Sequence, residues 1–318
     1  MVSNAIEVNL GSIDALDPDE NYFEQINDSN HSKYFTAHEF SSEFCVSPKK
    51  LVILNINIRS FFKNIDNTIA FLQSLACDPD ILVLTETWLD RDSVEFANID
   101  GYEGFHTLRD GRSGGVSVFC SKTLKCKQLA KFSISNAEIE SCCVQISLPN
   151  DKLNIIAIYR PHIGTLEGFT EIIESIIHDN ILAKQKLCLA GDFNLNLLNL
   201  ENNNISNFIY NLRSLHFFPA ITKPTRFPTG NSYTPTLLDQ VWINFNNAYD
   251  SGIIWADLTD HCPVFLRIKV ESFLDTEDST VVFRHHRQDL IDNFVSQMEG
   301  VKWNLLLHLI VLMLIRNL

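Results

Sequence analysis

From residue 51 onward, short and almost unbroken apolar runs alternate with stretches in which apolar residues recur every three or four positions. Residues 51–56 (Leu-Val-Ile-Leu-Asn-Ile) read as a buried strand, and residues 80–85 as a second. Between them Ile65, Ile69, Leu72 and Ala76 keep the spacing of an amphipathic helix. Further strands are predicted at 115–120, 139–148, 153–159 and 186–190. Leu166, Phe169, Ile172, Ile173, Ile176 and Ile177 place a helix before the last of these. Residues 204–215 read as a helix, and 237–243 and 263–270 as closing strands. Residues 49–270 contain no repeat and no low-complexity linker, so they are expected to form one α/β domain with two sheets and outer helices.

The flanks have a different texture. Residues 1–48 are rich in Asp, Asn and Ser and show no sustained period. They read as a mostly disordered acidic leader in which Tyr22, Phe23, Tyr34 and Phe35 offer points of local docking. Residues 271–318 read as a connector followed by a truncated apolar tail. Its apolar run, 305–315, falls short of the ~20 residues of a spanning helix, so no stable membrane insertion is expected. The N-terminus lacks the basic head and apolar stretch of a secretory signal.

Hydrophobic residues make up 45% of the 318 positions and charged residues 20%, which supports a packed core and excludes wholesale disorder. The formal charge of −14 argues at first sight against a nucleic-acid partner. Its distribution removes the objection: residues 1–48 carry net −8, residues 271–318 net −3, and the whole middle only net −3. The eight cysteines include no Cys-x-x-Cys pair and mostly lie in apolar runs, so they read as reduced core thiols of an intracellular protein.

The chemistry lies where the strands end. Asn55 and Asn57 follow the first apolar run, Glu86 the second, and Asp192 and Asn194 the run at 187–191. Asp239 opens a strand, and Asp260 and His261 immediately precede another. Polar groups at strand ends converge on one rim of an α/β domain, where ligands bind. Carboxylates, amides and one imidazole gathered there suit a hard cation, Mg2+ or Mn2+, rather than zinc.

These residues resemble a known set. Leu54-Asn-Ile-Asn57, Thr85-Glu-Thr-Trp88, Ile158-Tyr-Arg-Pro161, Gly191-Asp-Phe-Asn194, Leu238-Asp-Gln240 and Thr259-Asp-His261 are similar to the motifs of the endonuclease/exonuclease/phosphatase superfamily. Within it, Asn57-Ile-Arg-Ser60, Glu86-Thr-Trp-Leu89, Gly101-Tyr102, Arg112-Ser-Gly-Gly-Val116, Pro224-Thr-Arg226, and Leu237-Leu-Asp-Gln-Val-Trp242 with Asn244 resemble the endonuclease domain of non-LTR retrotransposons. The resemblance implies a DNase I-like fold: a four-layer α/β sandwich, two mixed β-sheets packed face to face with outer helices. Inositol polyphosphate 5-phosphatases of this superfamily typically carry an Arg after the Gly-Asp-x-Asn-Tyr/Phe stretch. Here Asn194 is followed by Leu195.

The resemblance also implies roles. Glu86 would be the principal metal ligand, assisted by Asn55 or Asn57, with Asp260 as a further metal-site or water-orienting acid. Asp192 would position or deprotonate the attacking water, and Asn194 would hold the water or a phosphate oxygen. Asp239 would orient His261, which contacts the scissile phosphate, and Tyr159 would hydrogen-bond that phosphate or assist the leaving oxygen. From the residues alone, Arg226 and Arg160 read as phosphate contacts or solvated loop charges, and Arg109 and Arg112 flank Gly111 in a loop that could contact the DNA backbone. Gly114-Gly115 reads as serving strand entry, and Trp88 and Trp242 as packing residues. The expected reaction is a metal-dependent nick in DNA leaving 3′-OH and 5′-phosphate. The expected partners are the DNA backbone and a reverse transcriptase supplied by a full-length element. Action on genomic DNA would place the protein in the nucleus. The alternatives are a phosphoesterase acting on a small or lipid-linked phosphate, and a catalytically silent retroelement remnant.

Overall fold

Alternation along the apolar runs decides the architecture, because successive residues of a strand face opposite ways. The computed structural model describes residues 32–44, 50–109, 113–148, 151–228, 234–245 and 249–269. In chain order these form β1 (Lys33–Phe35), α1 (Ala37–Phe44), β2 (Lys50–Asn57), α2 (Phe61–Ser74), β3 (Ile81–Thr85), β4 (Tyr102–Thr107) and β5 (Val116–Ser121). Then come β6 (Lys125–Gln128), β7 (Ile134–Ser135), β8 (Glu140–Ser147), β9 (Lys152–Tyr159), α3 (Leu166–His178) and β10 (Lys186–Asp192). The series closes with α4 (Asn203–Ser214), β11 (Phe218–Pro219), β12 (Asp239–Ile243), β13 (Tyr249–Ile254) and β14 (Val264–Lys269).

One sheet runs β1-β13-β14-β2-β3-β5-β4, and the other β11-β12-β10-β9-β8-β6 with β7 paired to β8. Both are mixed: β2 and β3 are parallel, as are β9 and β10, whereas β14 and β12 run against their neighbours. Leu51 and Ile53 of β2 enter the core between the sheets, together with Ile81 and Val83 of β3 and Ile155 and Ala157 of β9. Val52, Leu54 and Ile56 face the other way, beneath Phe40 of α1 and Phe61 and Leu72 of α2. Phe169 of α3 and Phe208 of α4 cover the second sheet's outer face, packed around Phe193. The result is the four-layer sandwich. Asn55 and Asn57 share the inward parity of Leu51 and Ile53, so both are delivered to the space between the sheets.

Two corrections concern the flanks and the cysteines. Residues 33–44, inside the stretch expected to be disordered, form β1 and α1 and extend the first sheet. The strand pairs in parallel with β13, Tyr34 opposite Ile253. Thr36 and Glu39 cap α1 reciprocally: the Thr36 N–H donates to Glu39 Oε2 (2.7 Å) and the Glu39 N–H to Thr36 Oγ1 (3.2 Å). Phe40 is fully buried against Phe265, ring centroids 4.9 Å apart. Burying these aromatic rings offsets the polar character that suggested disorder. Tyr34 and Phe35 therefore dock as expected, while Tyr22, Phe23 and the connector at 271–318 lie outside the described residues. Among the cysteines, 120, 126, 142, 143, 188 and 262 are free thiols, but Cys77 is disulfide-bonded, contrary to the reading of all eight as reduced. No helix among the described residues is long and apolar enough to cross a membrane.

Truncating Phe40 to Ala should cost about 3–5 kcal/mol, the usual penalty for emptying a fully buried aromatic site. Urea denaturation of the full chain would measure it.

Candidate active site

The strand ends meet at one rim, and register brings their polar residues into line. Asp192, the last residue of β10, pairs with Tyr159 on β9 and with Asp239 on β12. Tyr159 in turn pairs with Glu140 on β8, so one row across the second sheet reads Glu140, Tyr159, Asp192, Asp239. Gly191 makes the row fit: at φ 152°, a Cβ there would stand 1.8 Å from the Ile158 carbonyl. On the first sheet Asn57 pairs with Thr85, the residue before Glu86.

Asn57 joins the two sheets. Its Nδ2 donates to Glu86 Oε1 (2.8 Å) and to Asp192 Oδ2 (2.8 Å). Asp192 Oδ1 accepts from the Asn194 N–H (2.9 Å), while Asn194 Nδ2 donates to the Arg160 carbonyl (2.8 Å). Asp239 Oδ2 faces His261 Nδ1 at 2.9 Å and accepts from Thr225 Oγ1 at 2.7 Å. Thr225 Oγ1 also accepts from the Asp239 N–H (3.0 Å), which fixes the carboxylate from both ends. Thr259 Oγ1 donates to the Asn57 carbonyl (3.2 Å) and accepts from the His261 N–H (3.1 Å), docking the Thr-Asp-His turn on the end of β2. Ligand-capable atoms of Asp192, Asp239 and His261 all lie within 4.8 Å of one another.

Crowding of carboxylates shows in the proton equilibria. Burial, then the Asp239 charge, pushes Asp192 up to about 7, against the pull of His261, the Asn194 N–H and Asn57. Burial disfavours the charged form of His261, but the carboxylates of Asp239, Asp192 and Asp260 outweigh it and lift the imidazole to about 9. At neutral pH both ring nitrogens of His261 therefore carry protons, one given to Asp239 and the other free to donate. The Tyr159 phenol is raised by burial and then by Glu86, Asp192 and Glu140, so it remains a donor.

Most expected site residues come together here, with three exceptions. Asp260 is ion-paired with Arg59 Nη1 (2.6 Å) through Oδ1, which makes no hydrogen bond among the described residues, and is hydrogen-bonded to Arg226 Nε (2.9 Å) through Oδ2. Arg160 is 9% exposed, and its guanidinium lies on the Gly164 carbonyl (3.0 Å) and near the Phe169 ring. Arg112 lies outside the described residues. Trp242 is buried as a packing residue, whereas Trp88 is 42% exposed. Sequence reasoning missed Thr225 and Glu140. Thr225 stood inside a quoted motif, between Pro224 and the charged Arg226, and a buried role left no mark on the local pattern.

The donor set fits a hard cation. Asn55 is buried with neither amide atom partnered among the described residues, and Asn57 Oδ1 and Asp239 Oδ1 are equally buried and unpartnered. Oxygen donors beside closely spaced buried carboxylates are the surroundings in which Mg2+ or Mn2+ binds.

The family model described as "Endonuclease/Exonuclease/phosphatase family" matches residues 54–261, which begin at the strand carrying Asn55 and end at His261. The chain belongs to the endonuclease/exonuclease/phosphatase family. No curated protein matches its sequence significantly. Solved structures give the same fold. The catalytic domain of APE2 from Xenopus laevis aligns with a TM-score of 0.56 at 18% identity, covering 69% of this chain and 91% of that one. The endonuclease domain of TRAS1, a telomere-specific non-LTR retrotransposon, aligns at 0.55 and 14%, covering 70% and 99%. The AP endonuclease LMAP from Leishmania major aligns at 0.57 and 13%, covering 75% and 93%. At such identities the likeness speaks for the fold, so the chemistry of this family member rests on its own residues.

Two linkages at this rim contribute to the pH dependence of the metal-free protein. A carboxyl raised to about 7 in the fold stabilises it only while protonated, a contribution complete below an unfolded value of about 4 and gone above 7. His261, raised to about 9, contributes fully below an unfolded value of about 6.5, and that contribution is lost as pH rises through 9. The buried His106 imidazole, lowered to about 4 by desolvation, works the other way between about pH 4 and 6.5. Thermal melts in EDTA should therefore show Tm falling between about pH 6.5 and pH 9. Asp192→Asn should leave a Tm that rises up to about pH 6.5 and still declines toward pH 9.

Proposed function

We propose that this family member is a divalent-cation-dependent DNA endonuclease of the non-LTR retrotransposon type, nicking a strand to leave 3′-OH and 5′-phosphate. The observation that carries the reading is the position of Asp192, held by Asn57 of the first sheet and set in register beside Asp239 of its own, which is in turn paired to His261. Glu86, Asn57 and Asn55 would hold Mg2+ or Mn2+, which when bound offsets the charge growing on the phosphate. His261, oriented through Nδ1 by Asp239, presents its second N–H to a non-bridging phosphate oxygen. Thr225 keeps Asp239 aligned for that task. Asp192, with a proton affinity near neutrality, accepts a proton from the attacking water. Asn194 orients that water from the next turn. Tyr159 donates its hydroxyl to the phosphate. Arg226 and Arg59, paired to Asp260, offer cationic contacts for neighbouring phosphates.

DNA as substrate is supported by the motif resemblance and by the kinds of protein that share the fold. A product ending in 3′-OH is what a reverse transcriptase extends, and genomic DNA would place the reaction in the nucleus. The near-neutral charge of residues 49–270 makes binding weak and dependent on low salt.

Full-length protein should convert supercoiled plasmid to nicked circle with Mg2+ or Mn2+ and not with EDTA. Glu86→Gln, Asp192→Asn and His261→Ala should each lower the rate by about 10²–10⁴. Thr225→Ala should cost about tenfold through misalignment of Asp239, and Thr225→Ser should recover most of it. A folded wild type that never nicks would shift the weight to a phosphoesterase or a silent remnant.

A further inference from the structure

We propose that Glu140 is a positioning residue for Glu86, acting from the opposite sheet through the Gly114–Gly115 turn. The inference rests on the phosphodiesterase reading above, in which Glu86 holds the cation.

Glu140 opens β8 and its side chain is wholly buried. A buried carboxylate is costly unless its oxygens are met. One oxygen accepts a short hydrogen bond from the Gly115 N–H, and the other lies 3.1 Å from Arg109 Nη1. The Arg109 ion pair lies on the oxygen that makes no hydrogen bond among the described residues, so the fixed contact of the carboxylate is the one to Gly115. What it grips is the turn. Gly114 and Gly115 have φ of 90° and 86°, and a Cβ on Gly114 would stand 2.6 Å from Glu140 Oε2. On the turn's far side, a Cβ on Gly115 would stand 2.6 Å from Thr87 Oγ1. No side chain larger than hydrogen fits between the two.

The turn passes this grip to the cation site. The Gly115 carbonyl accepts from the Thr87 N–H (3.1 Å) and the Gly114 carbonyl from the Trp88 N–H (2.8 Å). These residues follow Glu86 directly. Glu86 and Trp88 both hold left-handed backbone, φ 53° and 56°, which non-glycine residues keep only where surroundings over-determine it. The other constraint comes from the start of α2, where Ser60 and Phe61 N–H groups donate to the Glu86 and Thr87 carbonyls (2.8 Å each). Glu86 is thus clamped between the β2–α2 connection and a turn that the second sheet holds through one carboxylate.

The test uses full-length Glu140→Ala, Glu140→Asp and Glu140→Gln. Amide hydrogen exchange is followed without metal, and Mn2+ binding by calorimetry, with Glu86→Gln marking loss of the site. Asp keeps the charge but falls one methylene short of Gly115, whereas Gln keeps the reach and an acceptor oxygen. Glu140→Ala and Glu140→Asp should speed exchange at Gly115, Thr87 and Trp88, and weaken Mn2+ binding on the order of tenfold. Glu140→Gln should stay close to wild type in both. Should Glu140→Ala fail to fold, the Asp and Gln variants decide. Wild-type exchange and affinity in Glu140→Asp, or Glu140→Gln as impaired as Glu140→Asp, would overturn the inference alone. A wild type without Mn2+ affinity would overturn the phosphodiesterase reading and this inference with it.

Discussion

Two carboxylates buried side by side at the ends of adjacent strands form the constraint around which this rim is organised. Asp192 and Asp239 stand opposite each other in register, beneath the surface, where their mutual repulsion is poorly screened. Every strong interaction nearby acts on that problem. His261 supplies a positive charge, Asn57 and Thr225 donate to the carboxylates, and the Asn194 amide closes the remaining side of Asp192. A single sheet could not surround the pair. Asn57 reaches it only because β2 of the opposing sheet ends at the same level, with the same inward parity as the apolar residues before it.

The connection after β3 shows how much surrounding structure a residue held in a strained backbone conformation requires. Left to local preference, Glu86 and Trp88 would not remain left-handed, a conformation worth roughly 1–3 kcal/mol of strain apiece. Backbone hydrogen bonds from both flanks hold the segment there. Because those bonds are backbone to backbone, the strain is spread over a network that tolerates change in the exposed side chains beyond it. The glycines of the turn are then needed for close approach, more than the strand entry suggested by their sequence.

Much of this was legible because buried strands advertise themselves. The runs before Asn55, Glu86 and Asp192 are apolar on both faces, so a polar residue at their end stands out. Tyr249–Ile254 did not stand out, since Asp250, Ser251 and Gly252 interrupt its apolar content, and neither did Tyr102–Thr107, which carries Gly104 and His106 at the sheet edge. Ordering of residues 33–44 is written in Thr36, Glu39 and a few aromatic rings, a signal diluted by its acidic surroundings. Arginines were the hardest to read. Arg160 and Arg59 are equally charged on paper, yet one is drawn back onto a carbonyl and the other is held at the rim by Asp260. Long flexible side chains take their direction from partners distant in sequence, which no local pattern contains.

The strand Lys33–Phe35 bears on how such a unit can move between proteins. The Tyr34 hydroxyl donates to the Pro224 carbonyl, its ring stacks on Trp255, and Ser32 exchanges hydrogen bonds with Ala220 and Thr222. The loop carrying Thr225 and Arg226 thus leans on residues almost two hundred positions earlier in the chain. A recombination event that copied only the stretch from the first long strand onward would transplant every carboxylate of the rim and still leave that loop without these contacts. The folded unit thus reaches beyond its motif-bearing part, through an aromatic stack with no chemistry of its own.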